Sequence, residues 1–286
     1  MVKKYAELYL DARRDLRAIY AEQAGNMARQ LLSAATGKTH EQVIADFTLY
    51  ASQEATDTMA GFMERAMAGE PVAYILGQWD FAGMTLTVTR DTLIPRDDTM
   101  AVTELAIQAA LSLPCEPRVL DLCTGTGCIG LAIAQRVRDA RVVLGDVSQT
   151  ALRVAKKNVQ DQRLGGRVTC IAVDAMKEPS GFLGQYHLIV SNPPYVTRAE
   201  MEALPHEVKD YEPHIALYGG EDGLDFYRAI IHNFSKILLP QGYLCFEFGM
   251  GQGDSIEAML CEKDYEIIER RQDMRNVLRA VLARKK

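Results

Sequence analysis

The sequence predicts an α/β protein: a mostly parallel, seven-stranded sheet with helices on both faces, preceded by a small helical domain and a linking β-hairpin. Three observations carry this. From Arg118 onward, short β-rich apolar runs alternate with helical patterns. Before residue 70, apolar residues recur at helical spacing. Between the first strand and first helix of the alternating region sits a glycine-rich turn, where open α/β sheets place their ligand loops.

The first 70 residues read as a helical bundle. Leu8, Ala12, Leu16 and Ile19 share one face, and Met27, Leu31 and Leu32 another. Thr39 and Gln42 form a capping box, and a further helix spans Ser52 to Ala68, ended by Gly69-Glu70-Pro71. Residues 72–92 change character. Alternation from Met84 to Thr89 marks a hairpin that links two domains. Leu93-Ile94-Pro95-Arg96 follows, then a helix from Thr99 to Leu111. Strands are expected at Arg118–Leu122, Arg141–Asp146, Arg167–Val173, His187–Ser191 and Tyr243–Phe248, with helices at Ile129–Arg136, Gln149–Asp161 and Asp225–Leu238. Tyr265–Arg270 and Asn276–Ala283 are β-like and close the sheet with antiparallel strands.

The 286 residues are 48% hydrophobic and 24% charged, enough for a sizeable core. A formal net charge of −6 counts against a backbone-gripping role on nucleic acid. None of the six cysteines forms a Cys-x-x-Cys pair and the histidines do not cluster near them, so neither a metal site nor a disulfide framework is expected. The amino terminus lacks an apolar signal core and no run is long enough to span a membrane. A reduced, cytoplasmic enzyme is expected.

Two motifs carry chemistry. Asn192-Pro193-Pro194-Tyr195 follows the apolar run Leu188-Ile189-Val190-Ser191. Its prolines fix φ and lack N–H groups, so the loop is stiff and offers mainly carbonyl acceptors. Asn192 adds an acceptor and Tyr195 a flat face. These parts suit gripping a planar –NH₂ group by both hydrogens, although a plain strand-ending turn uses the same residues. Gly125, Gly127 and Gly130 match G-x-G-x-x-G, with Asp146 about one βαβ unit later, which is also the dinucleotide fingerprint. Asp121 discriminates. A pyrophosphate would meet a like charge there, whereas the ammonium and sulfonium of S-adenosylmethionine would be attracted, a difference of roughly several kcal/mol. Asp146 is placed to take both ribose hydroxyls, and Asp174-Ala175 the adenine amine and ring face. Each Asp alone reads equally as a loop cap; three acids at successive strand ends are more specific.

With both motifs in hand, the chain resembles the release-factor glutamine N5-methyltransferases (the HemK/PrmC family). The resemblance runs through Gly69-to-Gly77, the Phe81-x-Gly83 hairpin, Leu93-Ile94-Pro95-Arg96, Asp121-to-Gly130 and Ser191-to-Val196. It continues through Tyr211-Glu212-Pro213, Gly219-to-Leu224 and Phe246-Glu247-Phe248-Gly249 with Gln252. Three stretches depart from the family pattern: Asp97-Asp98-Thr99-Met100, Cys123 where a glycine is usual, and Asp273-to-Leu278. The first and third bear on substrate choice.

The resemblance implies a class I, Rossmann-like methyltransferase that moves a methyl group from S-adenosylmethionine to the N5 side-chain nitrogen of the Gly-Gly-Gln glutamine of peptide chain release factors. It implies a helical substrate-binding domain at 1–70, a hairpin linker at 71–92 and a catalytic domain at 93–286. Cofactor contacts fall to Asp121, Cys123, Thr124, Gly125, Thr126, Gly127, Asp146, Val147, Asp174, Ala175 and Asn192. Asn192, Pro193 and Tyr195 are the catalytic candidates, and with Pro194 they hold the substrate; no metal is expected. Membranes are not expected partners, nor is nucleic acid a direct substrate. An adenine-N6 nucleic-acid methyltransferase would share the cofactor site and the Asn-Pro-Pro-Tyr grip, but should carry a basic face. A catalytically silent binding protein would not need an intact Asn192.

Overall fold

The computed structural model of the chain describes residues 3–286. These divide into two compact units: the residues up to Gly77 with His206–Tyr211, and Gln78–Pro205 with Glu212–Lys286.

The first unit contains α1 (Tyr5–Tyr20), α2 (Ala24–Thr36), α3 (His40–Ala45), α4 (Gln53–Met67) and α5 (Val72–Leu76). Leu8, Ala12 and Leu16 make the buried stripe of α1, one turn apart. Thr39 and Gln42 form the reciprocal cap at the start of α3: each backbone N–H donates to the other's side chain, at 2.9 and 3.3 Å. Ser52 caps α4, accepting from the Ala55 N–H at 3.1 Å. After α4 the buried Glu70 takes a two-pronged bond from Arg65, at 2.7 and 2.9 Å. One more helical turn follows, where the sequence pattern shows only a change of character. Pro71 opens α5, and Gly77, at φ 68°, ends it.

The second unit opens with the hairpin strands β1 (Gln78–Phe81) and β2 (Met84–Thr87). Their two-residue turn places both Ala82 and Gly83 at positive φ, 51° and 79°, the geometry that follows strand twist. The remaining elements are α6 (Met100–Ser112), β3 (Arg118–Leu122), α7 (Cys128–Arg136), β4 (Arg141–Asp146), α8 (Gln149–Asp161), β5 (Val168–Ala172) and β6 (Tyr186–Ser191). The short α9 (Arg198–Ala203) follows, then α10 (His206–Lys209) of the first unit. The chain ends with α11 (Asp225–Asn233), β7 (Leu238–Glu247), α12 (Gly253–Glu262), β8 (Tyr265–Gln272) and β9 (Leu278–Lys285). The helix expected to reach Leu238 is α-helical to Asn233 and continues as a 3₁₀ turn over Phe234–Ile237, and β7 starts earlier than the predicted Tyr243. The helix α12 was not expected: glycines at 251 and 253 mask its buried pair Ile256 and Leu260.

Seven strands form one sheet in the order β5-β4-β3-β6-β7-β9-β8. The first five run parallel; β9 is antiparallel to both neighbours. Helices cover both faces. On one, Leu105 of α6, Leu131 of α7 and Ala155 of α8 pack with hairpin Leu86; on the other, Tyr227 and Ile230 of α11 pack with Ile256 and Leu260 of α12. Strand order reverses between β3 and β6, and a crevice opens outside the carboxyl ends of strands at such a point.

Asn158 of α8 fixes the hairpin against the crevice. Its Oδ1 accepts from the Thr87 N–H at 2.7 Å, and its Nδ2 donates to the carbonyls of Thr87 and Thr126 at 3.0 and 2.9 Å. At the crossing of α7 with β4, a Cβ on Gly130 would overlap Leu144 Cδ2 and lie 3.0 Å from Asp121 Oδ2 and 3.1 Å from Val142 Cγ1. Gly130→Ala should therefore destabilise the second unit by about 1–3 kcal/mol through overpacking, read as a lower urea midpoint; an unchanged midpoint would refute this account of the crossing.

Candidate active site

The site is built outward from Asp121, buried in β3. Its Oδ2 accepts from the Thr124 hydroxyl at 2.6 Å and from the Gly130 N–H at 2.9 Å, so one oxygen holds both ends of the glycine loop. Its Oδ1 is buried without a hydrogen-bond partner. Burial pushes this carboxyl up to about 7 against the pull of those two bonds, and the nearby Asp146 adds to the rise. Within the loop Cys123, Gly125 and Gly127 stand at φ 57°, 55° and 85°. Cys123 thus occupies a left-handed position with a Cβ, which costs about 1–2 kcal/mol. Its thiol is driven up, first by burial and then by Asp146.

The acids ending β4 and following β5 are partly committed to their own loops. Asp146 Oδ2 accepts from the Gly125 N–H and Oδ1 from the Ser148 N–H, both at 2.9 Å. Asp174 accepts from the Met176 N–H at 3.0 Å and pairs with Lys177 at 3.0 Å. Each carboxylate oxygen has two lone pairs, so both residues keep acceptor capacity.

A cavity of about 310 Å³ opens at these strand ends, lined by Cys123, Thr124, Gly125, Thr126, Asp146, Val147, Asp174, Ala175, Asn192 and Pro194. Asp121 and Gly127, expected to touch a ligand, are not part of its wall; Asp121 holds the loop from behind and Gly127 ends it. The rest of the wall includes Leu93, Pro95 and Thr99 before α6, and Met176, Ile215, Ala216 and Phe226. The Leu-Ile-Pro-Arg motif was legible, but nothing in its residue types announced a wall.

The Asn-Pro-Pro-Tyr segment leaves β6 beside this cavity. Ser191 Oγ donates to the Leu122 carbonyl at 2.8 Å, joining β6 to β3 at their ends. The backbone of 194–196 is clamped from outside. Val196 N–H donates to the Leu217 carbonyl at 2.8 Å, and Gly219 N–H to the Val196 carbonyl at 2.9 Å. A Cβ on Gly219 would sit 2.5 Å from the Pro194 carbonyl oxygen, and one on Gly223 would overlap the Tyr195 carbonyl. Gln252 Nε2 donates to that Tyr195 carbonyl at 3.0 Å while its Oε1 accepts from the Gly249 N–H at 2.9 Å. The glycine pair and Gln252 therefore serve the site as backbone supports. Tyr195 does not line the first cavity. It lines a second one of about 540 Å³ with Gly249, Gln252 and Arg279, and Pro193 lines neither.

Two of the stretches that depart from the family pattern meet beside Tyr195. Arg279 Nη2 lies 3.1 Å from Asp98 Oδ2, and its Nε donates to Asp273 Oδ2 at 3.1 Å. Arg96 pairs with the buried Glu212, which also accepts from the Ile94 N–H at 3.2 Å. Asp98, Glu212, Glu247 and Arg279 carry no local sequence signal for the site, because only pairing across distant segments reveals them. Among the described residues no three His, Cys, Asp or Glu side chains gather as metal ligands, and no helix is long and apolar enough to cross a membrane.

Comparison with known proteins is consistent along the chain. Residues 7–77 match the PrmC N-terminal domain and residues 101–208 the Methyltransferase small domain. A release factor glutamine methyltransferase of Clostridium acetobutylicum is 39% identical over 74% of this chain and 74% of its own. The protein of the same name from Bradyrhizobium diazoefficiens is 37% identical over 94% of this chain and 91% of its own. Among solved structures, the hMettl16 catalytic domain in complex with a MAT2A 3'UTR hairpin superposes with a TM-score of 0.55 at 16% identity, over 81% of this chain and 80% of that one. That last likeness is one of fold.

The left-handed Cys123 yields a stability test. Cys123→Gly removes the Cβ strain but loosens the unfolded chain, so its stability should stay within about 1 kcal/mol of the parent. Cys123→Val, β-branched at positive φ, should lose more than about 2 kcal/mol. Urea unfolding that ranked the two in the opposite order would contradict the loop geometry.

Proposed function

We propose that this chain, which belongs to the release factor glutamine methyltransferase family, transfers a methyl group from S-adenosylmethionine to the N5 nitrogen of the glutamine in the Gly-Gly-Gln motif of peptide chain release factors. One observation carries the reading beyond family membership. A single cavity is walled by the glycine loop, by two acidic strand ends and by Asn192 with Pro194, so the cofactor loop and the Asn192 grip share one chamber.

The residues fit S-adenosylmethionine. The polar side chains at the strand ends are acceptors, suited to ribose hydroxyls, an amine and a positive centre. They are unsuited to a pyrophosphate. The unpartnered buried Oδ1 of Asp121 puts further negative character behind the loop. Asp146 and Val147 would hold the ribose side, Asp174, Ala175 and Met176 the adenine side, and the Cys123–Gly127 loop the methionine half. When bound, the cofactor supplies an electrophilic methyl group.

The chain's own work is on the acceptor. An amide nitrogen is a poor nucleophile because its lone pair is conjugated. Asn192 Oδ1 and the Pro193 carbonyl accept the two N–H bonds, which fixes the amide plane and adds electron density. Tyr195 would meet that plane from the second cavity, which it lines. As the new bond forms the nitrogen becomes cationic, and the same acceptors stabilise it before the proton leaves to water. No strong base is required. The helical unit holds the body of the substrate protein, and that remote binding energy helps orient the amide. The enzyme works in the cytoplasm, where release factors act.

The test is methyl transfer to intact release factor, with peptide mass spectrometry to place the label and oligonucleotides assayed in parallel. One methyl group on the Gly-Gly-Gln glutamine is expected. Asn192→Ala should lose at least about 100-fold in kcat with cofactor affinity within about threefold. Label on adenine with release factor untouched, or near-normal kcat in Asn192→Ala, would overturn the proposal.

A further inference from the structure

Glu247 is a buried carboxyl that the mechanism above does not use. It ends β7, which runs parallel to β6 with Ser191 opposite Phe246. The next residue on each strand is Asn192 and Glu247, so the two leave adjacent strand ends side by side. Thr99, also buried, stands with them: the Asn192 Nδ2 donates to its hydroxyl at 3.4 Å. The main chain of Glu247 is pinned separately, its carbonyl accepting from the Tyr227 hydroxyl at 2.7 Å. Its Oε2 is buried without a hydrogen-bond partner.

We propose that Glu247 is a positioning residue for Asn192: an acceptor-only carboxylate that, with Thr99, takes the hydrogens of the Asn192 amide and so leaves Asn192 Oδ1 turned to the substrate. This rests on reading Asn192 as the grip on the acceptor glutamine. The reason is symmetry. The two ends of an Asn side chain have nearly the same shape but opposite hydrogen-bonding sense. Against an apolar wall both orientations would be equally populated, and the wrong one presents N–H donors to the –NH₂ group it must hold. A carboxylate cannot donate, so it selects one orientation. A buried carboxyl is costly to keep where a neutral or apolar side chain would pack as well; a demand for an obligate acceptor explains its presence.

Burial drives the Glu247 carboxyl up to about 7, against hydrogen bonding from Thr99 and Asn192. Arg279 of β9 favours the carboxylate and Asp98, in the turn before α6, opposes it. Tyr195, Tyr227 and Cys128 are the other titratable groups that feel its charge. Protonation turns Glu247 into a donor and removes its preference, so the Asn192 orientation relaxes as pH falls through the neutral range.

The experiment follows the side-chain amide of Asn192 by ¹⁵N–¹H NMR on the full chain, assigned by its loss in Asn192→Ala. In the parent protein this signal should titrate with a midpoint near 7, and in Glu247→Gln it should stop moving. Glu247→Gln should lower kcat on release factor roughly 10- to 100-fold, with both KM values within about threefold, and abolish the acid limb of the kcat profile. Should Glu247→Gln fail to fold, Thr99→Val is expected to move the amide signal and lower kcat in the same direction. An Asn192 signal that ignores pH in the parent, or a folded Glu247→Gln with kcat within about twofold, would overturn the inference. A titrating Asn192 signal in a parent protein that methylates no glutamine would uphold it while removing the functional reading beneath it.

Discussion

The site depends first on the two hydrogen bonds that Asp121 Oδ2 accepts. A glycine loop has no packing of its own to hold its shape, and here three left-handed residues in five must be kept in place. The carboxylate does this from below, taking the Thr124 hydroxyl at one end and the first turn of α7 at the other. Gly130 is a glycine because that approach, together with Leu144 and Val142, leaves no room for a Cβ. Burial raises the free energy of the charged form, and a positive ligand in front of the loop would lower it again.

The second half of the site is held by backbone rather than by charge. Prolines at 193 and 194 remove two donors, so the segment has few N–H groups with which to secure itself, Val196 among them. It is clamped instead by Gly219, Gly223 and Gln252, which reach carbonyls that a side chain would block. Register between β6 and β7 sets Asn192 next to Glu247, and Thr99 completes the group. Loop rigidity and amide orientation thus come from different parts of the fold.

Much of this was legible in the residues. β3, β4 and α8 begin and end at the predicted residues, because Arg118, Arg141 and Gln149 each follow a clear turn or cap and the apolar runs are unbroken. The capping box at Thr39 and the alternation from Met84 carried equally local signals. What failed was tertiary. No local pattern says that β9 inserts between β7 and β8, or that Asp98, Asp273 and Arg279 close into one network beside Tyr195. Asp121 was read as facing the ligand, since a sequence shows the strand end but not which side of the loop the carboxyl occupies. Glu247 looked like part of a motif without a task, because its task exists only once two strands are paired.

The Asp121 carboxyl, raised by burial, answers to positive charge bound in front of its loop. Calorimetry of S-adenosylmethionine binding at pH 7, in buffers of different ionisation enthalpy, counts the protons released. With the Asp121 carboxyl near 7, binding should expel part of its proton, so the parent protein should release more than Asp121→Asn does, the ligand's own titration being common to both. Equal proton release from two folded proteins that both bind the ligand would contradict the account.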